Sequence, residues 1–189
     1  EFVDWYAGFV FDSGKVPCCV DARGADPVAE NDSHGQYLYA VAEVWRHTRD
    51  GAWLARHWPT VQRVLAYQES LRQSERGARN MEPGRTHLFG LMPPSISHEG
   101  YSDKAAYSNW DNFWALRGYK DALVIARVLG HETEAQRWSA WTDSFERELN
   151  ASIVATVAHH RIDYVPGAAD RGDFDPTSTT IALNPVQAN

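Results

Sequence analysis

The chain of 189 residues has only two cysteines, Cys18 and Cys19, and they are adjacent. Neighbouring cysteines rarely reach the geometry of an ordinary disulfide. A disulfide framework is therefore excluded, as is a zinc site built from several thiolates, and the pair reads as buried, inert thiols. Cations are also scarce, with 18 Lys and Arg against 25 Asp and Glu and a net charge of −7. Phosphate backbones are bound by clustered Lys and Arg, so nucleic acid is not an expected partner. Arg46, Arg49, Arg56, Arg63, Arg72, Arg76 and Arg79 are spread among acids and read as solvated helix faces. No apolar run approaches the ~20 residues of a bilayer span, so no membrane partner is expected.

Catalytic signatures are missing as well. There is no Gly-x-Ser-x-Gly elbow, no phosphate-cradling loop ending in Lys-Ser/Thr, and no His-Glu-x-x-His pair. His159 and His160 are adjacent, and neighbouring side chains on a helix diverge, so joint ligation of a metal is not expected. Neither a metal nor a cofactor is called for. No basic-then-apolar leader stands before Phe2-Val3-Asp4-Trp5-Tyr6, which already looks helical, so the chain reads as a piece of something longer. Nothing in the sequence assigns a compartment.

What the chain does have is helical periodicity. Tyr37, Val41, Val44 and Thr48, with Leu38 and Trp45 beside them, recur at helical spacing up to the turn dipeptide Asp50-Gly51. Leu54, Trp58, Val61, Leu65 and Leu71 mark a second helix. A third runs from about Ser108 to Leu129, apolar over much of its circumference, and Gly130 ends it as a C-terminal cap. Trp138, Trp141, Phe145 and Leu149 stripe a fourth. Helix, tight turn and helix thus repeat at an interval of about 75 residues, the layout of stacked αα-hairpins. The expectation is one all-α domain over 1–189, with loops at about 10–33, 76–107 and 160–180 gathered on one face. Only Val16–Val20 and Ile162–Val165 hint at short strands.

Polar residues concentrate in those loops. Glu30-Asn31-Asp32-Ser33-His34-Gly35-Gln36 exceeds what one helix cap needs. Ser97-His98-Glu99-Gly100-Tyr101 follows Pro93-Pro94, which stiffen the backbone, and a carboxyl group in a rigid apolar loop gains proton-donating power at neutral pH. Trp110-Asp111-Asn112-Phe113-Trp114 sets an acid among aromatic rings, the pairing that sugars require for C–H faces and hydroxyls. Asp173 and Asp175, between glycines and four hydroxyl residues, either line a pocket or cap a turn; their spacing does not fit a calcium loop.

Gly90-Leu91-Met92-Pro93-Pro94-Ser95-Ile96-Ser97-His98-Glu99-Gly100-Tyr101, followed by Asn109-Trp110-Asp111-Asn112-Phe113-Trp114-Ala115-Leu116-Arg117-Gly118, resembles the six-hairpin glycosidases. These are (α/α) toroids that include glucoamylase-like, trehalase-like and debranching-enzyme-like hydrolases. The likeness covers about residues 30–180 and rests mainly on 90–130. It implies inverting hydrolysis of a glycosidic bond by two carboxyl groups roughly 6.5–9.5 Å apart. Glu99 matches the acid, and Asp32 is the candidate second carboxylate. Asp111 matches the family's Trp-Asp as a sugar-hydroxyl contact, and Glu30, His34, His98, Tyr101, Trp110, Trp114, Asp173 and Asp175 are further candidate sugar contacts without a matched family role. A full ring needs twelve helices, so this chain is expected to form about half a toroid, prone to self-association through uncovered hairpin faces. Two other readings stay open: a non-catalytic carbohydrate-binding or scaffolding module, and a polysaccharide lyase using Tyr101 or His98 as base.

Overall fold

Four long helices dominate the computed structural model, which describes residues 1–97 and 101–187. Helices α2 (Asp32–Thr48) and α3 (Gly51–Ser74) form one hairpin, and α4 (Asn109–Leu129) and α5 (Glu132–His160) form the next. Short elements fill the connections. They are α1 (Phe2–Ala7), α6 (Pro176–Thr180), 3₁₀ turns at Ala78–Met81 and Thr86–Leu88, and two antiparallel ribbons. One ribbon pairs β1 (Val20–Asp21) with β2 (Gly24–Ala25), the other β3 (Ser95–Ser97) with β4 (Tyr101–Ala106). The protein is mostly helical, in line with the periodicity.

Local chemistry sets the turns. Arg49 closes α2 in the left-handed region at φ 56°, and Asp50 caps α3 by accepting from the Trp53 amide at 2.9 Å. Gly130 ends α4 at φ 75°, where a residue without Cβ carries no steric penalty.

The two hairpins stack in register. Asp32 meets Trp110 near the starts of α2 and α4, and Arg46 meets Asp121 further along both, so these first helices run parallel. Trp58 packs on Trp138 at 5.2 Å early in α3 and α5, and Arg72 reaches Glu148 at 2.8 Å late in both. The second helices are therefore parallel too, and they make a second layer. Leu38, Val41, Leu54, Val61, Leu65, Leu116, Ile125 and Phe145 are fully or almost fully buried between the layers, at the spacing that the sequence pattern gives.

Two glycines set how closely α2 and α4 approach. A Cβ on Gly35 would lie 2.0 Å from the carbonyl oxygen of Trp114, and one on Gly118 would lie 2.8 Å from the Cα of Gly35. Backbone meets backbone at this crossing.

Several expectations need correction. Arg72 is not a solvated helix residue. It is completely buried, donating to Glu69 at 3.2 Å, Glu148 at 2.8 Å and Ser144 at 2.7 Å. Tyr119 also donates to Glu69, so α3, α4 and α5 share one ionic cluster. Arg72 follows Glu69 by three residues, so the two share one helix face, and α4 and α5 cover that face. The thiols are not buried either: Cys19 is exposed and Cys18 is half-buried. Of Val16–Val20 only Val20 enters a strand, and Ile162–Val165 forms none. The β3–β4 ribbon lies where a loop was expected. Its strands, Ser-Ile-Ser and Tyr-Ser-Asp-Lys-Ala-Ala, carry mostly residues of little intrinsic β-propensity, and it is held from outside: Arg171 donates to the Lys104 carbonyl and Ser95 to Asp111.

The α2–α4 crossing yields a direct test. Gly35→Ala should cost about 3 kcal/mol, because the added methyl meets a carbonyl that cannot move without shifting α4. Gly51→Ala, where a Cβ meets nothing within 4 Å, should be neutral or slightly stabilising. Urea denaturation of the two variants distinguishes packing at the crossing from general glycine effects.

Candidate functional site

The first turn of α4 is the junction of the three long loops. The Asn109 amide donates to the Gly167 carbonyl at 2.8 Å, and its side chain donates to the Pro166 carbonyl at 2.8 Å. Trp110 Nε1 donates to Asp32 Oδ2 at 2.8 Å. Asp111 accepts from the Ser95 hydroxyl. Asn112 Oδ1 accepts from the Met92 amide at 2.9 Å. Four consecutive residues thus hold three different segments, because successive positions on one helical turn point about 100° apart. Asn31 adds a direct link between loops by donating to the Pro93 carbonyl at 2.8 Å. Asn31 is the residue before α2, yet its side chain serves this link and not its own helix end.

At the start of α2, Glu30, Asn31, Asp32, Ser33 and His34 are all buried. Asp32 Oδ2 accepts from Gln36 at 2.7 Å as well as from Trp110. Ser33, Gln36 and Tyr37 border a cleft of about 300 Å³ whose other wall includes Tyr6, Val16 and Cys18. The His34 ring stacks on Tyr67 at 5.1 Å, and its Nδ1 lies 3.3 Å from the Asn31 carbonyl oxygen. Burial drives the His34 pKa down to about 4.

Glu30, Asp32, His34, Trp110 and Asp111 thus belong to one polar junction. Trp114 lies a turn deeper in the core, edge-on to Tyr39 at 5.6 Å and to Trp110 at 6.3 Å. Tyr101, at the start of β4, and Asp173 and Asp175, on the 160–180 loop, form a second group. Tyr101 donates to Asp173 Oδ2 at 2.9 Å, and Asp173 Oδ1 accepts from the Ala168 amide at 3.1 Å. Burial first, and then the bond to Asp173, raise the Tyr101 pKa far above that of a free phenol. Asp175 caps α6, accepting from the Thr177 amide at 2.9 Å and the Ser178 hydroxyl at 2.7 Å. Glu99 and His98 lie outside the described residues.

Ser95, Gln36, Asn109 and Asn112 hold the junction together, and the sequence reading does not single them out. The signal present for two of them is amides three apart at a helix start, a spacing that faces both toward incoming loops. Comparison with known protein families gives no match, and comparison with curated proteins gives none.

The depressed His34 pKa links this junction to stability. The unfolded imidazole titrates near 6.5, so between pH ~6.5 and ~4 the unfolded chain binds the additional proton. The His34 contribution is therefore complete above pH ~6.5 and is lost as pH falls toward about 4. It should appear as a stability slope of up to ~1.4 kcal/mol per pH unit in that window. In the native protein the His34 imidazole NMR signals should stay unshifted until about pH 4; titration near 6.5 would refute the burial argument.

Proposed function

We propose that the chain is part of a six-hairpin (α/α)-toroid glycoside hydrolase, with the loop end of its first-helix layer forming one wall of the sugar site. The carrying observation is the 2.8 Å bond from Trp110 Nε1 to Asp32 Oδ2, which sets an indole and a carboxylate from successive hairpins side by side. Sugars are gripped by that pairing of an apolar ring with a hydroxyl-binding acid. Parallel first helices in one layer and parallel second helices in another support the toroid reading, since a ring of hairpins repeats this unit. Two N–H donors converge on Asp32 Oδ2, as suits an ionised carboxylate and therefore a base. Glu99 takes the role of acid, and water is activated between the two. Glu30, His34 and Asp111 shape the pocket around them. Phe2 and Trp5 are more than half exposed on α1, an apolar surface suited to a further hairpin or a second copy of the chain.

One observation favours a non-catalytic carbohydrate-binding module as a second reading: Asp111, Asp173 and Asp175 each already hold a loop or helix end. The lyase reading with Tyr101 as base is weaker, since the raised pKa keeps the phenol protonated and its hydroxyl donates a hydrogen bond to Asp173; His98, the other candidate base, lies outside the described residues.

A panel of α- and β-linked glycosides, with NMR detection of the anomer released, tests the proposal. On a responsive substrate, Glu99→Gln and Asp32→Asn should each lower kcat on the order of 10²–10⁴-fold, and the first-formed product should have inverted configuration. Full activity of Glu99→Gln on every responsive glycoside refutes it. Calorimetric sugar binding without hydrolysis selects the binding module instead.

A further inference from the structure

Away from the polar junction, three histidines converge where the second-helix layer reaches the loops. His87 sits on the 3₁₀ turn Thr86–Leu88, and His159 and His160 are the last residues of α5. The turn is pinned to the helix because Ser152 donates to the His87 carbonyl. Ring centroids are 4.4 Å apart for His87 and His159, 4.8 Å for His159 and His160, and 6.0 Å for His87 and His160. One ring nitrogen from each residue can be chosen so that all three lie within 4.8 Å of one another.

These separations are close to those of ligated imidazoles. With metal–nitrogen bonds of about 2.0–2.1 Å, two imidazoles on one ion place their centroids roughly 4.5–5 Å apart. The His87 and His159 rings are stacked at an interplanar angle of 22°, so one of them must turn about its Cβ–Cγ bond to aim its nitrogen at an ion shared with His160. His160 also has the outer support that ligating histidines use: its Nε2 is 3.0 Å from the Ala169 carbonyl oxygen. Donation from Nε2–H to that carbonyl fixes the tautomer and leaves the Nδ1 lone pair for an ion. His87 is buried while His159 is exposed, so the group has both a dry side and a route of entry.

We propose that His87, His159 and His160 form a binding site for a divalent transition metal of the zinc, nickel or copper type. Neutral imidazoles suit these ions and not calcium or magnesium. Three nitrogens leave a further coordination position for water or an incoming ligand. A bound ion would tie the 76–107 segment to the end of α5. The His159 and His160 rings stand perpendicular, 4.8 Å apart, so adjacency in sequence does not keep them from a common ion; the expectation against joint ligation weighs those two alone. It omits the third ligand, supplied by a segment far away in sequence.

The untagged chain, stripped with chelator and dialysed, should bind one Zn²⁺ in calorimetry with a Kd of about 10 µM or tighter. Co²⁺ should give the visible absorption of a nitrogen-ligated ion. His159→Ala, at an exposed position, and His87→Gln should each weaken binding about tenfold or more. His47→Ala, at an exposed histidine elsewhere, should leave it unchanged. Absence of saturable one-to-one binding overturns the proposal, as does His159→Ala binding as tightly as the unmodified chain. The glycoside assays are unaffected by either result, so this site and the sugar reading stand or fall separately.

Discussion

The close crossing of α2 and α4 is the constraint on which the other contacts depend. Gly35 lies against the Trp114 carbonyl, and Gly118 lies against Gly35, so the first helices of the two hairpins meet at backbone distance. Close approach maximises dispersion contacts along the crossing, and it fixes the axial register of one helix against the other. Because of that register, Trp110 at the head of α4 comes level with Asp32 at the head of α2. A shift of one residue would swing Trp110 by about 100° and end the contact. The polar junction therefore depends on packing several residues deeper in the core.

The second layer is fixed differently. There, Arg72 is held between Glu69 and Glu148, with its guanidinium 5.4 Å from the Phe145 ring centroid. Burying Arg72 and Glu69, with Glu148 only partly exposed beside them, is costly, and an apolar cluster of equal volume could be as stable. What the ions add is direction. Arg72 offers a planar fork that only correctly placed carboxylates satisfy, and loss of one partner leaves a buried charge uncompensated. Glycine contact in one layer and an ionic fork in the other thus restrict the hairpins to one relative setting.

The helices were readable because their stripes, the Asp50-Gly51 turn and the Gly130 cap are all local signals. Arg72 was not readable, since its spacing from Glu69 occurs equally on solvated helices and only the neighbouring helices distinguish the two. The β3–β4 ribbon was not readable for a related reason: its strands are held by Asp111 in the first turn of α4 and by Arg171, distant in sequence, and not by their own composition. Within the site, Trp110 and Asp111 stood out because an acid among aromatics is costly to bury alone. Asn109 and Asn112 did not, although they make as many loop contacts. Amides are common at helix starts, and their partners are main-chain groups that leave no sequence signature.

The junction also bears on how chemistry could be built on this scaffold. A helix start presents unpaired amides and side chains fanned through a full turn, so it can fasten several loops at once. Asn109, Trp110, Asp111 and Asn112 are used in that way, and each fastening removes freedom from a loop that carries other polar residues. A carboxylate on a loop fixed at both sides keeps its distance from a second carboxylate, and that distance decides whether a water fits between them. The contacts that make Asp111 look structural are therefore also the ones that would position an acid on the neighbouring segment.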